Sequence, residues 1–137
     1  MSESPFWYNT AMAEPSEYAT VKVDDIDIAY TTWGEVGKPG IVLIHGSNAH
    51  MEWWRFTAPF LADNFRIAAL DLSGNGNSGW RERYSGEAFA REVWAVCEAA
   101  KLGPKPIVVG HSFGGFAALE AAHRFGEQMS GVLFMDF

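Results

Sequence analysis

Positive charge is scarce in this chain: 10 Lys and Arg stand against 17 Asp and Glu, for a net charge of −7 over 137 residues. The basic residues are scattered rather than clustered, which argues against a nucleic-acid-binding surface. Cysteine is scarcer still. The single Cys97 has no partner within the chain for a disulfide, which suits a reducing, cytoplasmic setting. It lies among Val93, Val96 and Ala100 in a helical pattern, where a small buried apolar residue is expected rather than a catalytic thiol. No apolar run approaches the roughly 20 residues of a membrane span. The start, Met1-Ser-Glu-Ser-Pro5, lacks the basic and apolar regions of a secretory signal. Internal repeats and low-complexity tracts are also missing.

What is present reads as one globular domain. Hydrophobic residues make up 48% and charged residues 20% of the chain, enough to bury a core. Six Trp and ten Phe are available for that core or for a ring-lined substrate pocket. Residues 1–17, with Pro5 and Pro15 and little periodicity, are expected to be a loosely packed lead-in. Residues 18–137 carry the domain.

The patterning predicts a strand over 18–24 and a second over 26–33, joined by a tight turn at Asp24-Asp25. Short apolar runs at 41–44, 66–70, 106–109 and 132–135 read as strands buried on both faces. Between them, helices are expected over about 49–63 (interrupted near Pro59), 87–102 and 113–125. Ala90, Val93, Cys97 and Ala100 form the core stripe of the second of these. Strands alternating with helices predict an α/β fold. Its sheet is mostly parallel, with helices on both faces and an N-terminal hairpin.

Three motifs carry chemistry. Gly110-His111-Ser112-Phe113-Gly114 fits G-x-S-x-G, between a strand ending at Val109 and a helix containing Phe116 and Leu119. Such a turn pushes a hydroxyl out at the sheet edge, above a helix N-terminus whose amides favour a developing oxyanion. His45-Gly46-Ser47-Asn48 follows the first buried strand. Asp71-Leu72-Ser73-Gly74-Asn75-Gly76-Asn77-Ser78 follows the next, with glycines for a bend and Asp71 and Ser78 for bonds to backbone. This loop also spells G-x-G-x-x-G from Gly74 to Gly79. No helical period opens there and no acidic strand end follows about 20 residues on, so a dinucleotide site is disfavoured.

Taken together over residues 18–137, the motifs and their order resemble the α/β-hydrolase family. The resemblance implies that Ser112 is the nucleophile and that the backbone amides of Ser47 and Phe113 form an oxyanion hole. At the third and fifth places of the Asp71 loop, Ser73 and Asn75 depart from the residues usual in the family. These positions carry no catalytic group there.

A serine nucleophile needs a base and a carboxylate to orient it. The only histidine after Ser112 is His123, about 16 Å along the following helix. His111 is adjacent to the serine and points away from it. His45 is expected to shape the loop, and His50 to line a pocket at most. The expectation is therefore that no catalytic base lies in this chain. In the family the base follows later strands, preceded by a lid, so the sequence reads as an N-terminal portion and as inactive by itself. Asp136, ending the last strand, is the tentative acid, since in some members the acid comes after this strand.

The expected activity is hydrolysis of an ester or related carbonyl in a small-molecule substrate, with no metal or organic cofactor and no membrane partner. The strand at Val132 would be left as an apolar edge, inviting self-association. The alternative is a non-catalytic binding or interaction module that retains the elbow.

Overall fold

The computed structural model describes residues 6–136. Its elements, in chain order, are α1 (Phe6–Ala13), β1 (Ser16–Val23), β2 (Ile26–Trp33), β3 (Gly40–Ile44), β4 (Arg66–Leu70), α2 (Gly86–Ala99), β5 (Ile107–His111), α3 (Phe113–Phe125) and β6 (Gly131–Met135). The strands form one six-stranded sheet in the order β1-β2-β4-β3-β5-β6. β1 and β2 pair antiparallel, as do β2 and β4; the remaining neighbours are parallel. The β1–β2 turn is closed by Asp24 and Asp25 at φ 51° and 68°, the left-handed pair that a two-residue hairpin requires.

Alternation along the central strands divides the core in two. Val42, Ile44, Ala68 and Leu70 face α2 and α3, joining Ala90, Val93, Cys97, Ala117 and Ala121. Ile41, Leu43, Ile67 and Ala69 face the other way, onto Met51, Trp54, Ala58 and Ala62. Both faces are covered, so β3 is buried along its whole length, as parallel strands demand. α2 starts where Ser85 accepts the Ala88 N–H at 3.1 Å, a cap contributing on the order of 1 kcal/mol.

Several elements depart from the sequence reading. Within the stretch expected as a loose lead-in, Phe6–Ala13 is helical and β1 begins at Ser16; residues 1–5 lie outside the described residues. Residues 49–63 form two short 3₁₀ turns, Met51–Trp54 and Ala58–Leu61, rather than an α-helix interrupted near Pro59. Pro59 stands at the second place of the later turn, where it starts a helix rather than continuing one. β6, whose apolar run alone reads as buried, is half-exposed and forms the apolar edge expected of the strand at Val132. Among the described strands it lies at the sheet edge, paired with β5, and Leu133, Phe134 and Met135 reach solvent.

Candidate active site

The sheet's parallel strands bring their C-terminal ends to one rim, where the loops after β3, β4 and β5 meet. β5 ends at His111, Ser112 takes φ 54° and ψ −118°, and α3 begins at Phe113. A side-chain-bearing residue holds that conformation only where its surroundings enforce it, at a cost of about 1–3 kcal/mol. They do so here. The Ser112 N–H donates to the Met135 carbonyl at 2.9 Å, and the Gly115 N–H returns to the Ser112 carbonyl at 2.8 Å. A methyl on Gly110 would strike the Gly114 carbonyl, and one on Gly114 would strike the Ile44 carbonyl. The turn is thus closed by backbone-to-backbone approach that only glycine allows. The Ser112 side chain makes no cap bond to α3, and Ser112 is partly open to solvent. The first amides of α3, including Phe113, have no intrahelical acceptor by construction.

The loop after β3 lies directly against this turn. A Cβ on Gly46 would stand 3.1 Å from His111 Nδ1 and 3.2 Å from Ser112 Cβ. Ser47 follows, exposed, in a turn with Asn48 at φ 55°. The structure therefore gathers Ser112, Phe113 and the Gly46–Ser47 segment at one point of the rim.

His45 is buried and bonded at both ring nitrogens. The Leu72 N–H donates to Nε2 at 3.1 Å, so Nδ1 carries the proton and donates to the Gly46 carbonyl at 2.7 Å. Burial pushes its pKa below the ordinary value, leaving a neutral ring that ties the β3 loop to the β4 loop. His50 accepts the Glu52 N–H as the cap of the first 3₁₀ turn. His123 is exposed on α3. Among the described residues no hydrogen bond joins a histidine ring to the Ser112 hydroxyl. Asp136 is exposed, at φ 54°. It follows Met135, whose carbonyl holds the Ser112 amide, so its backbone flanks the elbow. Cys97 is buried with its thiol pushed up to about 12, chiefly by burial, and offers no thiolate.

The polar groups of the loop after β4 are bonded within the loop and to the elements beside it. Asp71 Oδ1 accepts the Met51 N–H at 2.7 Å and Oδ2 the Asn77 N–H at 2.9 Å. The Ser78 hydroxyl donates to the Asp71 carbonyl and accepts the Ala29 N–H. Sequence reasoning missed a further support. Glu92, on α2 and fully buried, accepts the Ser73 N–H at 2.8 Å and pairs with Arg81 at 2.8 Å. Arg81 also reaches Asp24, which Arg91 contacts at 2.6 Å; Arg91 first and Arg81 second hold the Asp24 carboxyl below its usual range. The signal available was an acidic residue at an inward position of α2, next to Val93. Among the described residues, no cluster of His, Cys, Asp and Glu is arranged to hold a metal ion. No helix there is long and apolar enough to cross a membrane.

Comparison with known proteins shows the family to which this fold belongs. Residues 39–137 match the family model described as alpha/beta hydrolase fold. Lipase LipV of Mycobacterium tuberculosis is 32% identical over 111 residues, covering 81% of this chain and 42% of the lipase. Human epoxide hydrolase 4 is 25% identical over 123 residues, covering 88% of this chain and 34% of that protein. Among solved structures, a membrane phospholipase A described as a bacterial virulence factor superposes with a TM-score of 0.80 at 29% identity. That match covers 93% of this chain and 41% of the phospholipase chain. This chain thus spans well under half the length of these relatives.

Proposed function

Since the chain belongs to the alpha/beta hydrolase fold family, we propose that it carries the nucleophile of a serine hydrolase acting on a carboxylic ester or related carbonyl. The carrying observation is Ser112 at φ 54° between β5 and α3, its hydroxyl free of a cap bond, with Gly46 packed against it. In this reading Ser112 Oγ attacks the carbonyl carbon. The amides of Ser47 and Phe113 hold the resulting oxyanion, each worth on the order of 10²–10³ in rate. The alcohol then departs, and water hydrolyses the acyl-serine ester.

The named relatives include both a lipase and an epoxide hydrolase. A serine nucleophile favours the carbonyl. Attack on an ester leaves an ester that water cleaves, whereas attack on an epoxide leaves an ether that resists hydrolysis. The reading requires a base for the Ser112 proton, with Asp136 as the carboxylate that orients it. No described histidine is placed to serve, so the test belongs on the full natural chain. A small-molecule substrate, no nucleic acid and a cytoplasmic setting complete the proposal.

A fluorophosphonate probe is expected to label the wild-type protein and to leave Ser112→Ala unlabelled. The same substitution is expected to lower p-nitrophenyl acetate hydrolysis by at least about a thousandfold. Absence of labelling in the wild-type full chain would overturn the proposal in favour of a non-catalytic binding module.

A further inference from the structure

Next to the elbow, an open groove of about 380 Å³ is lined by Trp80, Tyr84, Phe89 and Phe113, with Ser73, Gly74 and Asn75 along one side. The rings form a column. Phe113 meets Phe89 edge to face, with centroids 5.5 Å apart. Phe89 stacks on Tyr84 at 5.9 Å. The Tyr84 hydroxyl accepts the Arg81 N–H at 3.1 Å, which holds that ring in place. Trp80 is 77% exposed at the groove's mouth. Singly exposed apolar residues are ordinary, but a large ring continuing a built apolar wall marks a contact surface. The volume falls within the roughly 300–1,000 Å³ of small-molecule sites.

Two features say what would occupy it. No charged side chain lines the groove. Arg81 beside it is paired with Glu92 and Asp24, so a charged ligand group would find no partner in the lining itself. Continuity with the elbow supplies the second. Phe113 is at once the inner ring of the column and the residue after Ser112, with consecutive Cα atoms about 3.8 Å apart. The groove's inner end is thus formed by the residue that follows the nucleophile in the chain.

We propose that this groove binds an uncharged, apolar arm of the ester, longer than a methyl group, and that Trp80 sets the preference for it. The inference rests on the reading of Ser112 as nucleophile. The groove selects by apolar contact along aromatic faces, and each methylene laid there is removed from water.

The test uses the full natural chain and two substrate series: p-nitrophenyl acetate against octanoate, which varies the acyl arm, and ethyl against octyl acetate, which varies the alcohol arm. In Trp80→Ala the long-to-short ratio of kcat/KM is expected to fall about tenfold in one series, through KM rather than kcat. The series that responds identifies the arm. Trp80→Phe is expected to recover most of the ratio, and Phe60→Ala, an exposed ring on the other sheet face, to leave it in place. Ratios unmoved in both series, or moved as far by Phe60→Ala, would overturn the groove while leaving the serine assignment standing. A wild-type protein that the fluorophosphonate does not label removes the serine assignment and the groove with it.

Discussion

Two glycine-rich loops share the same rim and handle their polar groups in opposite ways. In the loop after β4, Asp71 and Ser78 spend every oxygen described above on backbone partners. In the turn after β5, glycines bring backbone against backbone, and Ser112 is held at φ 54° without a cap bond from its side chain. Composition does not tell these loops apart, since both are rich in Gly and Ser. What separates them is satisfaction. A saturated polar group builds the frame, and an unsatisfied one beside solvent is available for chemistry.

Removing Asp71 should expose that contrast most strongly. Asp71→Ala strips acceptors from the Met51 and Asn77 amides. It is expected to cost about 3 kcal/mol, taking each orphaned donor at roughly 1–3 kcal/mol, and denaturant titration would read it directly. A cost under about 0.5 kcal/mol would show that the frame does not depend on this carboxylate. At Ser112 the sign is expected to reverse. Ser112→Gly relieves about 1–3 kcal/mol of backbone strain and loses roughly 0.5–1 kcal/mol to chain entropy, for a net gain of about 1 kcal/mol. Ser112→Ala, which keeps the Cβ, should gain little, and equal stability of the two variants would remove strain from the account.

The smallest effect concerns His45, the link between the two neighbouring loops. Its folded-state pKa lies below the ordinary 6.5 because burial disfavours the imidazolium. The unfolded chain therefore binds the proton more readily. The ring's stabilisation is complete above about pH 6.5 and is lost as pH falls through the depressed folded-state value. The stability of His45→Gln should lack this part of the acid dependence, measured by thermal melts between about pH 7 and 5.

Much of this arrangement was legible in the chain. The Asp24-Asp25 turn, the inward stripe of Ala90, Val93, Cys97 and Ala100, and the strand–Ser112–helix junction are local patterns, and the structure contains each. The misses are cases where neighbours decide. Val132–Met135 has the composition of a strand buried on both faces; that it would be left as an apolar edge was legible, and its exposure follows from having one flanking strand. Residues 49–63 carry apolar residues at helical spacing and the break at Pro59 was legible, but the short 3₁₀ turns were not, since Met51 is fixed by Asp71 from another loop. Glu92 looks like a surface residue until Arg81 and the Ser73 amide are brought to it by the β4 loop.

The His45 ring has one consequence beyond its own bonds. Its Nδ1 grips the Gly46 carbonyl and its Nε2 receives the Leu72 amide, while Asp71 secures Met51 a few residues further on. The segment 46–50 is thereby moored at both ends to the adjoining crossover. It borrows its shape from a neighbour, so the placing of the segment beside the nucleophile depends on residues of the β4 crossover as well as on its own.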